Sequence, residues 1–239
     1  MSDAVVARRF PSLAEASAQL AADVADELRS VLTRKADATL AVPGGTTPAI
    51  FLERLGAHSL DWERVLVVPT DERCVPADNP RSNERMIRAA FAPVREARAG
   101  FMPLRTADHD PAAAARALSA LMAHRRPIDV CVSGMGEDAH VASLFPGHPA
   151  LSDEEEEAAV VAARPDGLEA RLSLGPALLA GAGLRALLIA GPSKRAVLHE
   201  AMKSEDRMRY PVCVLLGAPG SLKVYYATKR DDAIPSRPK

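Results

Sequence analysis

Thr39-Leu-Ala-Val-Pro43-Gly-Gly-Thr-Thr-Pro48 decides the fold. A short apolar run ends in two glycines, and residues suited to a helix start follow at once. The stretch reads as a buried strand running into a glycine turn. Thr47 is placed to cap the next helix, Pro48 suits its first turn, and Gly56 marks its stop. Working outward, the same alternation repeats. Val65-Leu-Val-Val68 is a second buried strand, followed by the polar segment Thr70 to Asn83 and a helix over Asn83 to Phe91. An Ala-rich helix spans Pro111 to His124, and Ile128 to Val132 is a third strand. Val160-Val161 marks another, Leu184 to Ala190 the next, then a helix over Ser193 to Met202 and a late strand at Val224 to Ala227. Upstream, Ser12-x-x-Glu15 is a capping box, and Leu20, Val24, Leu28 and Val31 recur at helical spacing.

Strands alternating with helices in this way predict βαβ units. The fold expected is α/β: one domain over 1–239, built on a doubly wound, mostly parallel sheet with helices on both faces. The tail from Lys229 is expected to fray. With 239 residues and 48% hydrophobic content, the chain has ample material for a core, which excludes general disorder. A net charge of -1 argues against a dedicated nucleic-acid binder. Cys74, Cys131 and Cys213 are too scattered for a disulfide framework or a CxxC metal site, so a reducing, cytoplasmic setting is expected. Arg8-Arg9-Phe10 imitates a twin-arginine start, but Glu15, Asp23, Asp26 and Glu27 follow where an export signal needs an apolar stretch. The charge-poor span from Leu174 to Gly191 is broken by Pro176, Arg185 and four glycines, so no membrane span is expected.

In doubly wound sheets the ligand sits beyond the carboxyl ends of the strands, and four segments there are chemically unusual. Gly44, Gly45 and Thr46 let the backbone approach a ligand, and the helix N-terminus that follows favours an anion such as phosphate. Their spacing fits neither a Walker A loop nor GxGxxG. Thr70-Asp-Glu-Arg73 places three charges directly after a buried strand. Asp71 can orient a partner or bind a sugar hydroxyl, and Arg73 can hold an anion or a developing oxyanion; taken alone, the segment reads rather as a solvated loop with an internal ion pair. Gly134 to Gly147 holds Asp138 and His140 two residues apart, and a histidine there suits general-base work. Arg171 and Lys194 offer two further cations; read from spacing alone, each is an ordinary solvated charge. The acidic run Asp153 to Glu157 reads as a solvated loop or helix start, and with no His or Cys beside it no metal site is expected. His109, His124, His148 and His199 read as surface or structural.

Taken together, these segments resemble the 6-phosphogluconolactonase family, whose run is GGxTP, TDER with VPxxxxxSN, GxGxDGHxASLFPG, RxSL and GxxK. Here they stand as Gly44 to Pro48, Thr70 to Arg73 with Val75-Pro76 and Ser82-Asn83, Gly134 to Gly147, Arg171 to Leu174, and Gly191 to Lys194. Ala139 departs from the family's Gly between the acid and the histidine, and Val141 from its usual Thr or Ile. A left-handed backbone at Ala139 would carry strain of roughly 1 kcal/mol. The resemblance implies a glucosamine-6-phosphate-deaminase-like fold and hydrolysis of a phosphorylated sugar lactone without metal or organic cofactor. His140 would take the proton of the attacking water, and Asp138 or Asp71 would orient it or the sugar. Arg73 and the backbone amides near Gly44 and Gly45 would stabilise the carbonyl oxygen or hold phosphate, with Arg171 and Lys194 on the phosphate. The implied partner is a small sugar phosphate, with no nucleic acid and no membrane. The sequence carries no signal of oligomeric state, and a monomer is compatible with it.

Two other readings follow from the same residues. A sugar-phosphate isomerase or deaminase of the same superfamily shares GxGxDGH but continues with AFNEP, which Ala142-Ser-Leu-Phe-Pro146 replaces. A non-catalytic sugar-phosphate sensor would keep the cations and lose the base. No GxSxG elbow is present for a covalent acyl-enzyme. If one site is made, Gly44, Asp71, Gly136 and Lys194 must lie near strand ends on one side of the sheet.

Overall fold

A computed structural model of the chain describes residues 5–106, 110–152 and 157–228. His109, the tail from Lys229 and residues 153–156 of the acidic run lie outside them. Seven parallel strands form the main sheet. In chain order they are β1 (Val6–Phe10), β2 (Ala38–Val42), β3 (Val65–Pro69), β5 (Gly100–Phe101), β6 (Val130–Ser133), β9 (Leu184–Ala190) and β10 (Leu222–Ala227). Their spatial order is β1-β10-β9-β6-β2-β3-β5. From β2 the chain builds outward through β3 to β5. It then returns to the other side of β2 and builds through β6, β9 and β10. The strand order therefore reverses between β2 and β6, which are paired at Leu40–Val130 and Ala41–Cys131. Beyond the carboxyl ends of these two strands the connections part, leaving the crevice where ligands bind in such sheets.

Helices cover both faces. One core packs α1 (Leu13–Arg34), α2 (Thr46–Gly56) and α3 (Asn83–Ala90) against Leu40, Val42, Val67, Val132 and Leu188. The other packs α5 (Pro111–Ala123), α6 (Pro176–Ala180), α7 (Pro192–Ala201) and α8 (Cys213–Leu216) against Ala41, Val68, Cys131, Leu187 and Ile189. The short α4 (Ala92–Arg95) completes the series. Adjacent residues of one strand thus enter opposite cores, which is why the central strands read as continuous apolar runs. The three cysteines are free, and burial pushes the Cys131 and Cys213 thiols up to about 11. Among the described residues no helix is long and apolar enough to cross a membrane.

Three local findings depart from the sequence reading. Arg8-Arg9-Phe10 belongs to the edge strand β1, four of whose five residues are exposed. Gly45, at φ +114, takes the N-cap of α2, so the helix starts at Thr46 and Thr47 lies inside it without a capping role. The third is a small antiparallel sheet, β4 (Asp71–Arg73), β8 (Arg171–Leu174) and β7 (Val160–Ala163), in the order β4-β8-β7. Its register sets Asp71 opposite Ser173 and Arg73 opposite Arg171.

Glu72 fastens this sheet to the main body. Its carboxylate is buried and accepts the Asn83 and Arg73 amides at 2.7 Å, the Glu84 amide at 2.7 Å and the Ser82 hydroxyl at 2.9 Å. It therefore caps the positive end of α3. Glu72→Ala would leave those donors unpaired in the interior, so we expect a loss of about 3 kcal/mol or more in urea unfolding, with Glu72→Gln losing less.

Candidate active site

The crevice at the switch point is a cavity of about 300 Å³. Gly44, Gly45 and Thr46 reach it from the end of β2, and Asp71 and Arg73 from the end of β3. His140 and Gly136 come from the loop after β6, Lys194 from the first turn of α7 after β9, and Arg171 from β8 of the small sheet. Every residue singled out from the sequence lines it except Asp138, which stands behind His140. The four markers Gly44, Asp71, Gly136 and Lys194 follow the carboxyl ends of parallel strands, on one side of the sheet.

His140 is held by its own loop. Its Nδ1 lies 2.6 Å from an Asp138 carboxylate oxygen, which also accepts the His140 amide at 3.2 Å. With Nδ1–H donated to Asp138, Nε2 is the nitrogen left with a lone pair. Between Asp138 and Asp71, it is Asp138 that pairs with this histidine. The loop closes on itself, since the Gly136 amide donates to the His140 carbonyl at 2.9 Å and the Ala139 amide to the Gly136 carbonyl at 3.3 Å. Ala139 does adopt the left-handed backbone, at φ +67, and is fully buried. Its buried methyl recovers about 0.8 kcal/mol, so the strain is largely offset.

Asp71 is 7% exposed and is satisfied by neutral donors. Ser143 Oγ donates at 2.6 Å and Asn83 Nδ2 at 3.1 Å, and the same Nδ2 donates to the Asp71 carbonyl at 2.8 Å. Asn83 packs so closely on Gly44 that a Cβ there would sit 2.2 Å from its amide. Ser143 also ties the loop after β6 to the small sheet, its amide donating to Ser173 Oγ at 3.1 Å. Sequence reasoning quoted Asn83 and Ser143 inside motifs and gave them no role, because neutral side chains carry no visible desolvation cost.

The cations are arranged differently. Arg73 donates to the Arg81 carbonyl at 2.5 Å, and its Nε is buried without a partner. Burial, and then the neighbouring Arg73 charge, pull Arg171 below the ordinary guanidinium range, with Asp71 and Glu169 opposing. Its Nε too is buried and unpaired, and among the described residues it forms no ion pair. Two guanidiniums that repel each other across a strand pair, with donors unspent, are relieved by an incoming anion. Among the described residues no cluster of His, Cys, Asp and Glu could hold a metal ion.

Fold and crevice place the protein among the doubly wound α/β proteins that take a small ligand at the strand switch point. The chain belongs to the family of glucosamine-6-phosphate isomerases and 6-phosphogluconolactonases, whose model matches residues 11–225. It is 39% identical to the 6-phosphogluconolactonase of Pseudomonas aeruginosa, over 90% of this chain and 92% of that one. It is 38% identical to that of Rhizobium meliloti, over 90% and 94%. Among solved structures it is similar to a 6-phosphogluconolactonase from Shewanella baltica, with a TM-score of 0.86 and 29% identity over 95% of this chain and 99% of that one.

Gly136 tests the pairing of His140 with Asp138. A Cβ at this position would lie 2.2 Å from His140 Nδ1 and 2.4 Å from Asp138 Oδ1. Gly136→Ala should therefore break the pairing and lower kcat about 10²-fold in steady-state kinetics, while the unfolding midpoint changes little.

Proposed function

We propose that the protein hydrolyses 6-phospho-D-glucono-1,5-lactone to 6-phosphogluconate, the second step of the oxidative pentose phosphate pathway. The relatives named 6-phosphogluconolactonase support the substrate. The observation that carries the chemistry is His140, anchored by Asp138 and sharing one cavity with Arg73, Arg171 and Lys194. A lactone is an ester, so a base, a water and an oxyanion stabiliser suffice.

In this mechanism His140 Nε2 takes a proton from water, and the hydroxide formed attacks the lactone carbonyl carbon. Arg73 or the amides around Gly44 and Gly45 stabilise the negative oxygen of the tetrahedral intermediate. The ring C–O bond then breaks, and the imidazolium returns its proton to the departing oxygen, giving the 5-hydroxyl and the C1 carboxylic acid, which ionises in water. Asp138 keeps the imidazole in the tautomer that presents Nε2 and steadies its positive charge. Asp71, already held by Ser143 and Asn83, accepts a sugar hydroxyl. Arg171 and Lys194 bind the phosphate.

The direct test is a lactonase assay on lactone generated in place by a coupled dehydrogenase, since the lactone also opens spontaneously. His140→Gln should lose about 10²–10⁴-fold in kcat with little change in KM, because the loss falls in the transition state. A folded His140→Gln enzyme with near-normal kcat would remove histidine from the mechanism.

Arg171→Ala and Lys194→Ala should instead act mainly on KM, each removing a charge-assisted contact of about 1.5–3 kcal/mol. Gluconolactone without the phosphate should be a poor substrate. Equal turnover of the two lactones would show that the cations bind something other than phosphate.

A further inference from the structure

Phe145 does not line the cavity, yet it touches two of the groups that do. Its ring centroid lies 4.7 Å from that of His140 at a tilt of 43°, and the Arg171 guanidinium carbon lies 5.2 Å from its centre. The two neighbours arrive by separate routes, His140 from the loop after β6 and Arg171 from β8 of the small sheet. Phe145 itself is half-buried and set in a closed turn, its carbonyl accepting the His148 amide at 3.0 Å. His148 in turn is fixed, with Nδ1 accepting the Ala150 amide at 3.1 Å and Nε2 lying 3.1 Å from the Ala162 carbonyl. The backbone that carries the ring is therefore held by bonds that involve neither His140 nor Arg171.

We propose that Phe145 is a positioning residue that couples the base to the anion-binding cation. The need is clearest at Arg171. Burial and Arg73 act against its charge, its Nε has no partner, and no described carboxylate pairs with it. A ring face attracts a guanidinium and leaves its N–H donors free for an anion, whereas a carboxylate in that place would consume them. On the other side, Asp138 holds the imidazole at Nδ1, and Phe145 packs against the ring itself as a second restraint on its orientation. The positive charge that His140 gains in the reaction also develops against an aromatic ring.

The proposal rests on the lactonase reading for its kcat arm and is independent of it for its binding arm. Phe145→Met keeps a large apolar side chain and removes the ring face; Phe145→Tyr keeps the face. Binding of inorganic phosphate, followed by titration calorimetry, reads Arg171 without any turnover. We expect Phe145→Met to weaken phosphate about fivefold and to lower kcat about tenfold, with Phe145→Tyr within twofold of wild type in both. In an Arg171→Ala background, Phe145→Met should add no further loss of phosphate affinity. Two results would overturn the proposal: wild-type phosphate affinity in Phe145→Met, or an equal loss in Phe145→Met and Phe145→Tyr. If Phe145→Met fails to fold, the additivity of Phe145→Leu with Arg171→Ala decides, and full additivity overturns the coupling. A wild type that binds phosphate but hydrolyses no lactone would defeat the lactonase reading and leave the phosphate comparison to judge Phe145.

Discussion

The functional geometry depends on the parting of the chain between β2 and β6. Neighbouring parallel strands normally send their connections over the sheet in a single direction. Here the chain leaves β2 toward β3 and leaves β6 toward β9. The backbone beyond Val42 and Ser133 is therefore drawn to opposite sides, and a crevice opens that needs no side chain removed from the core. Gly44 and Gly136 flank it, and at both positions a Cβ would collide with a functional group: the Asn83 amide at one, His140 and Asp138 at the other. The two glycines thus admit polar side chains into space that a larger residue would fill.

Charge is distributed in this crevice according to what each group must do. The two carboxylates that organise it, Asp71 and Glu72, are buried and satisfied by amides and hydroxyls. Neutral donors hold a carboxylate in place without spending the cations. Those cations, Arg73 and Arg171, face each other across the small sheet with buried Nε groups unpaired. In the proposed reaction an anionic substrate would supply the opposite charge that the two guanidiniums lack. The histidine is set apart from these cations and pairs with an acid from its own loop, as the proposed proton transfer requires.

The parts legible in the sequence were those with a strong energetic signature. The central strands β2, β3, β6, β9 and β10 are buried on both faces and read as apolar runs. Asp71 and Arg73 stood out as charges directly after such a run, and His140 as an imidazole two residues from an acid in a glycine-rich loop; the resemblance to a family, more than the charges alone, made them candidates. The small sheet was hidden: β4 is three residues long, two of them charged flanks of Glu72, and its partner β8 lies far along the chain. Val160-Val161 was recognisable as strand, but nothing local told that it pairs antiparallel outside the main sheet. The true start of α2 was shifted because Gly45, having no Cβ, takes the backbone turn that Thr47 was expected to cap. The places of Asn83, Ser143 and Phe145 beside the crevice were invisible, because a neutral amide, a hydroxyl and a ring look like ordinary packing until their neighbours are known.

The most direct measurement is a crystal structure with 6-phosphogluconate bound. The account requires the product to lie in the crevice between β2 and β6. Its phosphate should be held by Arg171 and Lys194, and its C1 carboxylate should come within hydrogen-bonding reach of His140. Product bound with its phosphate at His140 and its carboxylate on Arg171, or seated outside this crevice, would contradict it.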